Sequence, residues 1–270
     1  MNIRALTTFF LLAYGISWFL WSPLWLPYFG VKAEPFLPYQ HGFGGLGPML
    51  AAFITTAVYS EKKSVSLLWS RMFQWKPLVW TVIAILLPLV YAGLGALIAR
   101  FSDGVLPDFS NMGSSSEFPE LSVSGFLLYN IVFFGYGEEV GWRGFALPRL
   151  QEKYSALTAT LILTVFWALW HLPLFLYRPG YVSMDMAGVV GWFFSMLTGA
   201  ILFTWLFNSS RGSLLACALF HGITDVIFLC DYNNEYMMQY IGMIITCWGI
   251  AVLLIRGWRE LGPPPRLNLF

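Results

Sequence analysis

The stretch "LSVSGFLLYNIVFFGYGEEVGWRGF", residues 121–145, decides the fold. Residues 121–137 carry no charge; Glu138 and Glu139 then stand side by side, and Arg143 follows one helical turn later. About twenty mainly apolar residues are what a helix needs to cross the hydrocarbon core of a bilayer. A helix is favoured there because it satisfies its own backbone hydrogen bonds. An ionisable group at the centre of such a helix costs about 2.5–3.5 kcal/mol on insertion scales, so it marks function by default. Two adjacent carboxylates in one span demand a chemical reason.

The rest of the chain agrees with a membrane setting. Of 270 residues, 58% are hydrophobic, 19% aromatic and only 11% charged, with a mean hydropathy of +0.66. Soluble domains carry about 25% charged residues. Apolar segments recur at about 5–26, 43–60, 77–99, 121–141, 155–176, 186–207, 212–230 and 237–256. The expected fold is therefore all-α and polytopic, with eight transmembrane helices and no sizeable soluble domain. The basic-then-apolar start lacks a small-x-small cleavage site and reads as a retained first span, not a signal peptide. A net charge of +1 gives no reason to expect nucleic acid as a partner. Cys217, Cys230 and Cys247 lie in apolar runs without metal-ligand spacing and read as buried free thiols.

Eight spans also sort the basic residues. Arg4, Lys62, Lys63, Arg71, Lys76, Arg149, Lys153, Arg211, Arg256, Arg259 and Arg266 fall on one side, against Lys32, Arg100 and Arg178 on the other. By the positive-inside rule both termini are expected in the cytoplasm. Within "SVSLLWSRMFQWK", Val65, Leu68, Trp69, Met72 and Phe73 recur at helical spacing, which predicts a short interfacial helix. Residues 101–120 form the longest polar loop, expected to be mobile. The glycines of "HGFGGLGP", 42–48, read as sites of close helix packing. The domain plan is 1–120 for the first three spans, 121–230 for a polar-bearing core, and 231–270 for the last span and tail.

Few ionisable residues lie inside the spans: Glu138, Glu139, Arg143, His171, His221 and Asp225. His41 falls in a predicted loop and is set aside. The turn at 149–155 is centred near Tyr154, 16 residues after Glu138 and 17 before His171, so the two reach similar heights on antiparallel helices. His221 and Asp225 share a helix face, as do Glu139 and Arg143, with the acid N-terminal to the base. Glu138 lies about 100° around from Glu139. One carboxylate can thus be neutralised by Arg143 while Glu138 points toward His171 and His221.

These residues resemble a known family. "EEVGWRGFALPRLQ" is similar to the Glu-Glu-x-x-x-Arg motif of the CPBP intramembrane proteases. That family groups type II CAAX prenyl endopeptidases with bacteriocin-processing and self-immunity proteins. "WALWHLP" looks like its second motif, usually Phe-x-x-x-His, and "HGITD" like its third, His-x-x-x-Asn/Asp. The resemblance implies a metal-independent glutamic endopeptidase acting on a membrane-associated peptide, with no cofactor. It implies Glu138 as general base, His171 as water-binding, and His221 with Asp225 facing the tetrahedral oxygen. Glu139 and Arg143 are implied to fix the helix. Trp167 stands where Phe is commoner, a change of bulk expected to reshape the pocket; Asp225 stands where the prenyl endopeptidases carry Asn. Set against the family, both departures suggest a prokaryotic branch, in the plasma membrane, whose peptide substrate need not be prenylated and can be bacteriocin-like.

Three other classes draw on the same residues. Glu, His and His can form a catalytic zinc site, although no His-Glu-x-x-His is present. A proton-coupled transporter also places acids and histidines at mid-membrane, but no internal repeat is visible. The third is a non-catalytic immunity or binding protein on a protease scaffold.

Overall fold

Helix signals recur at the segment starts. Asn2, Ser122, Ser155, Asp185, Ser213 and Asn234 each accept a hydrogen bond from the backbone N–H three residues on, capping the helix that follows. A computed structural model describes residues 1–60 and 62–262, and no strand occurs among them. The elements are α1 (Ile3–Trp25), α2 (Gln40–Gly45), α3 (Gly47–Tyr59), α4 (Lys62–Met72) and α5 (Leu78–Asp103). A continuous helical rod over 123–151 follows as α6. The remainder are α7 (Ala156–Trp170), α8 (Met186–Ser209), α9 (Leu214–Leu229) and α10 (Glu235–Arg256).

All eight expected apolar segments are helical, and among the described residues six helical stretches are long and apolar enough to cross a membrane. The other two are α9, which has 16 residues, and α6, which is interrupted by two π-helical segments. The protein is a polytopic, all-α membrane protein. Its outer surface inverts the soluble pattern: Leu78, Val82, Leu86, Leu97, Phe194, Leu254 and Ile255 are exposed, where lipid replaces water.

The interior is held by close backbone approach and by hydrogen bonds between helices. A Cβ on Gly45 would lie 2.6 Å from the Phe133 carbonyl oxygen, and one on Gly137 2.5 Å from that of Gly45. One on Gly135 would lie 2.4 Å from the Ala218 oxygen, so α6 touches both α2 and α9 along glycine faces. The glycines of 42–47 thus serve the packing expected of them. Thr160 and Thr204 share a 2.7 Å hydroxyl contact between α7 and α8.

The ends of the bundle sort as the charges do. The Met1 ammonium lies 2.6 Å from Glu152. Ala156 and Leu157 donate to the carbonyls of Arg259 and Trp258, and Asn208 donates to that of Glu260. The N-terminus, the α6–α7 and α8–α9 turns and residues 258–260 therefore share one end. Arg266 lies outside the described residues. α4 forms as expected: Leu68 and Met72 are buried, while Trp69, Phe73 and Trp75 stay exposed at that border.

Two expectations are corrected. The 101–120 loop is tied down: Asp108 N–H donates to Tyr232 O, Asp231 N–H to Ser114 O, and Ser116 Oγ to Asp231. These backbone pairings to the end of α9 hold it in place despite its polar composition. Cys217 and Cys230 are buried, but Cys247 is exposed on α10, because that helix turns one face outward.

Candidate active site

The two glutamates sit on one straight α-helical turn, Gly137–Gly141, between two π-helical segments, Asn130–Tyr136 and Trp142–Ala146. A π turn accommodates an extra residue by bonding i to i+5, and such turns recur at functional sites. The glycines at 135, 137 and 141 bring this part of α6 against neighbouring backbones. Glu138 is 4% exposed and Glu139 fully buried.

Glu139 is the hub. Its Oε1 accepts from Arg143 Nη1 at 2.8 Å and from His221 Nδ1 at 2.8 Å. The Arg143 guanidinium lies over the rings of Trp167 and Phe203, 4.5 and 4.3 Å from their centroids. The expected Glu139–Arg143 pairing is present, and His221 bonds Glu139 through Nδ1, a contact that the sequence did not specify. Regular α-helical spacing cannot locate a partner across helices once π turns re-phase the rod. With Nδ1 committed to Glu139, His221 presents Nε2 toward Asp225, 3.6 Å from its Oδ2.

Glu138 meets α7 instead. Trp167 Nε1 donates to Glu138 Oε2 at 2.7 Å, so Trp167 does more than alter pocket bulk. The same residue reaches His171 through its backbone. α7 ends at Trp170 because Pro173, two residues beyond His171, cannot continue a helix. His171 N–H tightens onto Ala168 O, which frees the Trp167 carbonyl to accept from His171 Nδ1 at 2.7 Å. The imidazole is thereby fixed as the Nδ1–H tautomer, leaving Nε2 as an acceptor. Tyr181 stacks along His171, and Trp192 meets it edge-on. On the other side Trp18 Nε1 donates to Trp170 O and Tyr14 to Phe166 O, so α1 braces the end of α7.

The six residues singled out inside the spans, with Trp167, thus form one connected cluster contributed by α6, α7 and α9. Among the described residues, this cluster included, no group of three or more His, Cys, Asp or Glu side chains is arranged to hold a metal. His41, set aside as a loop residue, belongs to α2. Its Nδ1 bonds Tyr177 Oη at 2.6 Å, its ring stacks on Trp21, and Arg178 donates to its Nε2. Arg178 also reaches Glu117 at 2.9 Å, joining the 101–120 loop to the segment just after His171. The single signal for this cluster was a basic residue on the side otherwise poor in them.

A Glu-Glu-x-x-x-Arg helix thus meets histidine-bearing helices on two sides inside an all-α polytopic bundle. Residues 120–227 match the family model described as type II CAAX prenyl endopeptidase Rce1-like. Over 160 residues the chain is 30% identical to the CAAX prenyl protease 2 of Methanococcus maripaludis, a match covering 58% of this chain and 55% of that protein. The chain thus spans about half the length of that relative. Residues 120–227, which hold all three motifs, are thus similar to the type II CAAX prenyl endopeptidases.

Proposed function

We propose that this chain is an intramembrane endopeptidase that hydrolyses a peptide bond of a membrane-associated substrate with a Glu-activated water and no metal. The observation that carries the reading is the division of labour between the glutamates: Glu139 accepts from Arg143 and His221 at Oε1 and has its Oε2 sealed without a partner, whereas Glu138, among the described residues, accepts the Trp167 indole at Oε2 and keeps 4% exposure. Glu138 Oε1 is then available to take a proton from water. His171 Nε2 accepts the water's second hydrogen and aims its oxygen at the scissile carbonyl. As the tetrahedral oxygen gains charge, His221 donates to it from Nε2 as an imidazolium held at Nδ1 by the Glu139 carboxylate, and Asp225 faces it too. An ionised Asp225 would repel that oxygen, so it acts in its neutral form, donating as the Asn of the prenyl endopeptidases would. Glu138 then passes its proton to the departing amine. Glu139 and Arg143 are positioning residues that hold His221. The match to a CAAX prenyl protease supports a lipidated peptide with a C-terminal Cys-aliphatic-aliphatic-x sequence as substrate class. The basic end of the bundle faces the cytoplasm, with both termini.

The test uses the purified protein in detergent with an S-farnesylated peptide of that pattern and its unmodified counterpart. Cleavage is expected with or without a chelator. It is lost in Glu138→Gln, whose amide cannot accept a proton from water, and only reduced in Glu139→Gln. Wild-type cleavage by Glu138→Gln would remove Glu138 as the base. Loss to chelator with rescue by zinc would replace the mechanism with a metal-assisted one.

A further inference from the structure

A second site lies away from the glutamates, at the basic end of the bundle. A cleft of about 480 Å³ is lined by Trp75, Lys76, Pro77, Leu78 and Arg211. It sits at one membrane border, because α5 enters its span at Leu78 and α8 leaves its span at Ser209. Both cations are exposed, and neither forms an ion pair among the described residues. Lys76 Nζ is held 4.8 Å over the Trp75 ring.

The walls of this cleft are built rather than incidental. Gln74 Nε2 donates to the carbonyls of Ser210 and Arg211 at 3.0 and 3.3 Å, and Ser213 Oγ donates to Gln74 O. These bonds lock the α4–α5 connection to the α8–α9 turn. Arg211 is held at a φ of 59°, a conformation that costs a side-chain-bearing residue about 1 kcal/mol or more. Behind the turn, Arg71 is 5% exposed, and its Nη1 has no hydrogen-bond partner among the described residues. Its Cζ lies 3.5 Å from where a Cβ on Gly212 would stand. Two cations thus line the opening, with a third buried behind its α8–α9 wall. Below it, Leu78, Val82 and Leu86 form an exposed apolar ridge one turn apart along α5.

We propose that this cleft binds the headgroup of an anionic phospholipid, with its acyl chains lying along the Leu78–Val82–Leu86 ridge. Positive charge at the border with an apolar track beneath complements a phosphate headgroup and its tails, and an indole beside them suits the interfacial zone. A soluble phosphate satisfies the charge alone; a zwitterionic lipid satisfies the ridge and leaves the net positive charge unmatched.

Native mass spectrometry of the protein in detergent tests this, titrating phosphatidylglycerol against phosphatidylcholine of the same chains. One phosphatidylglycerol is expected to be retained with a preference of about tenfold or more. The double variant Lys76→Gln, Arg211→Gln should lose that preference and still bind phosphatidylcholine as before, which shows that it is folded. Millimolar inorganic phosphate should not displace the lipid. Equal retention of phosphatidylglycerol by wild type and double variant overturns the proposal, as does displacement by free phosphate. No step depends on proteolysis, so the outcome is independent of the activity proposed above.

Discussion

Replacing Arg143 by Met isolates what the buried ion pair contributes. Arg143 is 1% exposed, and its Nη1 is 2.8 Å from Glu139 Oε1 in a site that excludes solvent. Removing one partner of a buried pair costs about 3–5 kcal/mol, because the remaining charge loses its compensation. Two features set the value within that range. His221 remains on Glu139 Oε1 as a second donor, which favours the lower end. The Met thioether can fill the space between Trp167 and Phe203, recovering part of the ring contacts that the guanidinium makes. The expected loss is therefore about 3 kcal/mol, a large share of a typical total of about 5–15 kcal/mol. Adding Glu139→Gln should restore most of it, since deleting both charges removes the uncompensated one and Gln Oε1 still accepts from His221. The assay is unfolding in mixed micelles with rising dodecyl sulfate, followed by circular dichroism. Wild-type stability in Arg143→Met, or a double variant no more stable than the single one, refutes this reasoning.

Three further outcomes can be measured. Trp167→Phe keeps the backbone acceptor for His171 but deletes the indole donor to Glu138. It should slow cleavage by about tenfold or more with the fold intact, as a hydrogen bond to a charged group is worth about 1.5–3 kcal/mol; an unchanged rate would show that Glu138 needs no such donor. Asp225→Asn should keep most activity, whereas a large loss at every pH would mean that the carboxylate acts through its charge on His221. In a variant whose native cysteines are replaced, Met112→Cys should react with an impermeant thiol reagent in intact cells while Lys153→Cys is shielded, and the reverse pattern would invert the orientation.

Periodicity and chemistry carried much of this protein, and failed at identifiable residues. The helices were legible because lipid forces long apolar runs, and the capping residues at 122, 155, 185 and 213 mark their starts. Glu139 and Arg143 were legible as a pair because both lie on one helix face. The attachment of His221 to Glu139 was not, since it depends on how α9 meets α6, and that is set by glycine contacts such as Gly135 against Ala218. The Trp167 contact with Glu138 needs a rotamer, which residue type alone does not supply. His41 was passed over because "YQHGFGG" reads as a turn; tertiary packing under Trp21 makes it a helix. The 101–120 loop looked mobile because its anchors are mostly backbone groups, which no composition records.

The paired π turns have a consequence for how such a protein can change. Each behaves as a single-residue insertion absorbed inside a helix without breaking it. The segment upstream of residue 130 and the segment downstream of 146 are each separated from the glutamates by one of these elastic joints. Gain or loss of a residue at either joint can rotate a flanking lipid-facing segment while Gly137–Gly141 stays clamped against α2 and α3. The periphery of the rod is therefore free to drift in register across descendants, and the chemistry at its centre need not turn with it.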